Sequence, residues 1–156
     1  MAHPSEVAIE VMESFPKQTY RNRCTITTPD GALTLSVPVQ RADSKQLTKD
    51  VEISYQQKWQ HQHWIALVSA YKRTPYFDYY ADFFRPFYEK ETKFLVDLNE
   101  GLHGVITQLI MTSEFKIQNS KFTSDWSGLD LEHCFGDGQS ILDMLFEYGP
   151  ETIMKI

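Results

Sequence analysis

Cysteine is scarce in this sequence: its two residues, Cys24 and Cys134, stand far apart and in no metal-ligand spacing. That excludes a disulfide framework and a zinc-finger or zinc-ribbon pattern, and both thiols are expected to be buried and inert. Long apolar runs are missing as well. No stretch approaches the roughly 18–20 residues that a membrane helix needs, and the opening Met1-Ala-His-Pro-Ser-Glu lacks a basic region followed by an apolar one. These absences predict a cytoplasmic protein without a membrane span. The 7 glycines form neither a P-loop nor a dinucleotide fingerprint, and there is no Gly-x-Ser-x-Gly elbow, so no cofactor is implied. Positive charge is in deficit, with 15 Lys and Arg against 21 Asp and Glu and a net charge of −6. Such a surface repels polyanions, which excludes DNA and RNA as partners.

What is present describes a folded domain. At 156 residues, 42% hydrophobic and 13% aromatic, the chain is long enough to bury a core and lacks the polar make-up of disorder. Short β-rich runs occupy the first third. Val7–Met12 is one. From 20 to 28, Tyr20, Asn22, Cys24 and Ile26 alternate with Arg21, Arg23, Thr25 and Thr27, the period of a strand, which would set the two arginines on one face. Thr28-Pro29-Asp30-Gly31 signals a turn. Leu33, Leu35, Val37 and Val39 then alternate with Thr34, Ser36 and Pro38, so a hairpin is expected whose second strand buries its aliphatic face. A short extended piece follows at 50–53.

Helical periodicity takes over afterwards. Over 57–72, Trp64, Leu67, Val68 and Tyr71 recur at the spacing of a buried helical face. From 76 to 111 an aromatic stripe, Tyr76, Tyr80, Phe83, Phe84 and Phe87, leads into Phe94, Leu98, Leu102, Val105 and Leu109, with Pro86 expected to kink or restart the helix. Phe115-Lys116-Ile117 suits a strand, and 119–138 reads mainly as loop. Ser140 caps a last helix over 140–148 with Asp143 three residues on, and Gly149-Pro150 ends it. The fold class is therefore α/β: a single domain with a small mixed sheet, including a β-hairpin, packed against several helices.

Candidate chemistry is thinly spread. Lys17, Tyr20, Arg21, Asn22 and Arg23 concentrate cations in an acidic chain, and paired guanidinium forks suit a phosphate or carboxylate. The competing reading is a solvated hairpin with ordinary surface ion pairs. His61 and His63 point to nearly opposite sides of a helix and cannot chelate one ion, so no metal site is read here. His63, beside Trp64, is a candidate general acid or base, or else a helix histidine hydrogen-bonded at the core edge. The aromatic stripe could stack a sugar or base, although its helical spacing fits core packing. Asp97 could accept from a ligand hydroxyl and Asn99 could serve a polar pocket; either could be plain helix surface.

Five ordered blocks carry a resemblance. They are Lys17-Gln-Thr-Tyr-Arg-Asn-Arg-Cys24, Leu35-Ser-Val-Pro-Val39, Trp59 with His63-Trp64, Ala70-Tyr71 followed by Pro75-Tyr76-Phe77, and Asp97-Leu-Asn99. On these the chain resembles the WbqC-like family, and its ending from Ser140 to Pro150 looks like that of members from Bacteroides-type bacteria. The resemblance implies a bacterial protein linked to O-antigen and other surface polysaccharides. It implies a transferase that places an acyl or aminoacyl group, such as glycyl, on an amino sugar. A non-catalytic binding or scaffolding module of a polysaccharide assembly complex is the alternative. His63 and Asp97 would then be catalytic, and Lys17, Tyr20, Arg21, Asn22, Arg23, Trp59, Trp64, Tyr71, Tyr76 and Asn99 would hold a small anionic ligand, a nucleotide sugar or activated acyl donor. Contact with polysaccharide-biosynthesis enzymes is implied in either case. Family members usually open with a further strand, a Pro- and Tyr-rich loop and a helix, whereas this sequence is expected to begin near the second strand.

Overall fold

The computed structural model describes residues 11–15, 20–40, 45–110 and 140–149. A 3-10 turn at Tyr20–Asn22 leads into β1 (Arg23–Thr28) and β2 (Gly31–Ser36). After a second 3-10 turn at Thr48–Asp50 come α1 (Trp59–Tyr71), α2 (Phe77–Glu89), α3 (Leu95–Ile110) and α4 (Ile141–Tyr148). Among the described residues this is an α/β arrangement of one antiparallel hairpin and four helices. None of these helices is long and apolar enough to cross a membrane. The strand expected at Phe115–Ile117, the loop over 119–138 and most of Val7–Met12 fall outside the described residues.

The hairpin forms where its turn chemistry places it. Thr28 pairs with Gly31, which adopts φ 116°, and Thr28 Oγ1 donates to the Gly31 carbonyl at 2.7 Å. A positive φ of this size is the conformation glycine tolerates best. On β1 only Ile26 is buried and on β2 only Leu35, while Leu33 is 41% exposed and Val37 and Val39 lie beyond the strand end, half-buried. The short extended pieces near the hairpin contribute isolated antiparallel bridges, Val39 with Ile53 and Glu52 with Phe94.

The inner line of α1 is Trp59, His63, Leu67 and Tyr71, each four residues from the next. The face expected on Trp64, Leu67, Val68 and Tyr71 is thus rotated, leaving Trp64 and Val68 half-buried. The rotation follows from two neighbours, since α1 packs both against β1 of the hairpin and against α2. Pro86 sits inside α2 without stopping it; the helix runs to Glu89, where the Lys90 N–H still reaches the Pro86 carbonyl at 3.0 Å. The helix expected over 76–111 is therefore two, α2 and α3, with the break at 90–94 rather than at the proline.

Two apolar clusters share Tyr88 and Leu102 at their boundary. The larger holds Ile26, Leu67, Tyr71, Phe77, Phe84 and Phe146. Phe146 is its centre, with ring centroids 4.8 Å from Tyr71, 5.2 Å from Phe77 and 5.6 Å from Phe84. The smaller gathers Phe15, Val51, Ile53, Trp59, Leu95 and Leu98 under the open end of the hairpin.

Candidate functional site

The open end of the hairpin is where several of the sequence-derived candidates meet. Tyr20–Asn22 is a 3-10 turn and not strand, so Arg21 and Arg23 do not share the strand face that the alternation predicts. The turn is fixed from two sides. Asn22 Nδ2 donates to the Val37 carbonyl at 3.1 Å while the Val37 N–H returns a 2.7 Å bond to the Asn22 carbonyl. Asn99 Nδ2, from α3, donates to the Arg21 carbonyl at 2.8 Å. Both asparagines thus hold backbone, and they join the hairpin mouth to α3. The Arg21 guanidinium pairs with the Glu13 carboxylate, with both side chains about one-third exposed.

His63 lies beneath this turn. It is buried, its ring meets Trp59 edge-on at 5.1 Å and Tyr88 at 6.4 Å, and the Ser36 carbonyl accepts a hydrogen bond from the imidazole. Ser36 is the register partner of Arg23, which places the imidazole at the mouth of the hairpin. Loss of hydration lowers the pKa of His63, and the Ser36 contact offsets this only in part. The ring is therefore neutral at neutral pH and able to accept a proton. Beside it, Trp59 Nε1 is a buried donor with no hydrogen-bond partner among the described residues.

A second set of polar groups sits further along the hairpin. Asp143, on α4, accepts from the Thr27 N–H at 3.1 Å, from Thr27 Oγ1 at 3.1 Å, from the Tyr71 phenol at 2.5 Å and from the Ser140 N–H at 2.8 Å. Tyr71 is pushed far above the ordinary phenol range by burial and then by this carboxylate. Its hydroxyl is committed to structure. Cys24, expected to be buried, is instead exposed. It shares a strand face with buried Ile26 and lies close enough to Tyr71 of α1 and Tyr88 of α2 for its charge to bear on both phenols. The sulfur is still crowded on its inner side, and desolvation followed by the Asp143 charge pushes the thiol up. A thiol so held stays protonated and is a weak nucleophile. Cys134 lies outside the described residues, as does Lys17.

The remaining candidates scatter. Trp64 is half-buried under the Arg85 guanidinium, 5.5 Å from its ring, and packs on Tyr88 at 5.8 Å. Tyr76 stacks on Tyr80 at 5.8 Å and covers Gly149, so it closes the end of α4. Tyr20 is 86% exposed. Asp97 is exposed in the first turn of α3, on the order of 200° around the helix from Asn99. The structure therefore brings Arg21, Asn22, Trp59, His63 and Asn99 to one corner and leaves Asp97, Tyr71 and Tyr76 out of it. Among the described residues no three His, Cys, Asp or Glu side chains gather as a metal ion requires.

Sequence reasoning missed Glu13, Tyr88 and the reach of Asp143. The Ser140–Asp143 spacing announced the cap, but nothing local announced that the same carboxylate binds Thr27. A cavity of about 300 Å³ is lined by Gln40, Glu52, Tyr55, Glu91 and Lys93 among others, and the Tyr55 ring lies 5.9 Å from that of Trp59. The Tyr55 hydroxyl is saturated, donating to the Thr92 carbonyl at 2.9 Å and accepting from its N–H at 2.8 Å.

The corner is built from the same segments that carried the resemblance, and comparison with protein families agrees: the model of the WbqC-like protein family matches residues 6–134. The chain belongs to the WbqC-like family. Arg21, Asn22, Trp59, His63 and Asn99 all lie within the matched span. No curated protein and no solved structure matches the chain.

Proposed function

We propose that this WbqC-like protein transfers an acyl or aminoacyl group, such as glycyl, onto an amino sugar during assembly of O-antigen or another bacterial surface polysaccharide. The observation that carries this reading is His63: a buried, neutral imidazole at the mouth of the hairpin, next to the turn that bears Arg21. A neutral base in a poorly hydrated corner suits removal of a proton from an attacking amine. In the step, the sugar nitrogen forms a bond to the acyl carbon and the bond from that carbon to the donor's leaving group breaks. His63 takes the ammonium proton and passes it to the departing group. Arg21 holds the donor's phosphate or carboxylate, which displaces Glu13 from the guanidinium. Asn22 and Asn99 position the turn. Asp97, exposed in the first turn of α3, accepts from a hydroxyl of the acceptor sugar.

The test is a transfer assay read by mass spectrometry, with glucosamine and nucleotide-linked amino sugars as acceptors and acetyl-CoA and aminoacyl adenylates as donors. The reading expects an N-acylated product with one donor class and its loss in His63→Gln. A product that forms equally in that variant removes His63 as the base.

The second reading is a non-catalytic module that contacts polysaccharide-biosynthesis enzymes. It is favoured by Tyr20, 86% exposed on the turn next to the ion pair of Arg21 with Glu13, since exposed aromatics beside a guanidinium are common at protein interfaces. Co-purification with a glycosyltransferase, with no small ligand bound, supports it.

A further inference from the structure

The outward side of α2 carries two parallel rows. Tyr79 is 73% exposed and Phe83 45% exposed, four residues apart and therefore neighbours on one helical face, and Pro86 is exposed one turn on. Alongside run Asp78 and Asp82, also four apart and exposed, with Glu89 beyond them. Two of these carboxylates share one guanidinium, Arg85, which lies 3.7 Å from Asp82 and 3.7 Å from Glu89. Arg85 is drawn the other way as well, over the Trp64 ring at 5.5 Å, so its pairing with Asp82 is loose and the row keeps a negative excess. Large aromatic side chains left in water at this spacing are not needed for the core, which α2 serves with Phe77 and Phe84. They mark an interaction surface.

The chemistry that matches an aromatic row bordered by carboxylates is specific. A pyranose ring offers a flat C–H face to an aromatic ring, and hydroxyls that donate to carboxylates. A protonated amine on the sugar adds attraction both to the carboxylates and to the ring faces. An anionic ligand is repelled by the same row, and a purely apolar partner leaves the carboxylates desolvated without pairs.

We propose that the outward face of α2 docks an oligosaccharide carrying free amino groups. The assignment rests on the transferase reading above and extends it from the single amino sugar that reacts to the chain that bears it. Tyr79 and Phe83 stack successive sugar rings while Asp78 and Asp82 accept from their ammonium and hydroxyl groups.

The test is calorimetric titration of the whole chain with a short glucosamine oligomer at mildly acidic pH, with the N-acetylated oligomer and oligolysine as comparators. The glucosamine oligomer is expected to bind more tightly than either. Tyr79→Ala/Phe83→Ala is expected to weaken it about tenfold or more, and Asp78→Asn/Asp82→Asn to weaken it also, with the melting temperature of both variants close to that of the parent because all four side chains are exposed. Undiminished binding in the aromatic variant overturns the proposal. So does oligolysine binding as tightly as the sugar, which makes the surface a generic cation or peptide site. Transfer to free glucosamine separates this idea from the one beneath it. Transfer retained with no oligomer docking defeats the docking surface alone, and oligomer docking with no transfer defeats the transferase alone.

Discussion

Tyr71 donates its phenol to Asp143 Oδ1 at 2.5 Å across 72 positions of sequence. Through this bond and the two from Thr27, α4 is tied to α1 and to the hairpin by one carboxylate. Asp143→Asn keeps the shape but replaces one acceptor oxygen with a donor facing the Thr27 hydroxyl and the Ser140 N–H. The expected loss is about 1–3 kcal/mol in urea unfolding. Tyr71→Phe should cost about 1 kcal/mol, and the double variant should cost less than the sum because the two share a bond. Additive losses contradict the shared contact.

Gly149 ends α4 with φ 57°, and a Cβ there would lie 2.5 Å from Tyr76 Cε1. Gly149→Ala therefore combines a left-handed backbone with a collision against a packed ring. A loss of about 1–3 kcal/mol in thermal or urea unfolding is expected. Tyr76→Ala in the same background should recover part of it by removing the collision and none of the backbone strain.

How much of this was legible beforehand divides by range in sequence. The hairpin turn at Thr28–Gly31 and the Ser140–Asp143 cap rest on contacts within three residues, and both form where the residues say. The aromatic spacing of α2 likewise announced Phe84 as core. What sequence could not show are choices settled by distant neighbours. The inner face of α1 depends on where the hairpin lies, so His63 and Trp59 turned inward in place of Trp64. Arg21 left the strand because Asn99, 78 positions away, holds its carbonyl. Cys24 shares its strand face with Ile26, and nothing local says that one is exposed and the other buried. The candidate site follows the same rule: which of the named residues meet, and that Glu13 and Tyr88 join them, is decided by distant neighbours.

The burial of His63 makes stability depend on pH in a definite direction. Its folded pKa lies below the ordinary 6.5, so the unfolded chain takes up the proton first as pH falls. Stability should fall as pH drops below about 6.5, until the folded protein is protonated too, and should be fully restored above that value. His63→Gln should flatten this segment of the stability curve. Equal slopes in the two proteins contradict a depressed histidine.

Glu13 competes with any anion for Arg21. Glu13→Gln should tighten binding of a phosphate-bearing donor, whereas Arg21→Ala should weaken it by about 1–3 kcal/mol. Calorimetry with the donor selected by the transfer assay reads both, and opposite signs for the two variants are the expected outcome. Changes of the same sign contradict the exchange of Glu13 for ligand.

The most direct test of the central claim is a thermal-shift comparison of the parent, Arg21→Ala and His63→Gln proteins against nucleotide sugars, acyl-CoA species and amino acids. The account predicts that one donor class raises the melting temperature of the parent and of His63→Gln, which binds without turnover, and fails to raise that of Arg21→Ala. A well-folded parent that no compound shifts, or a shift that survives unchanged in Arg21→Ala, contradicts a donor site at the mouth of the hairpin.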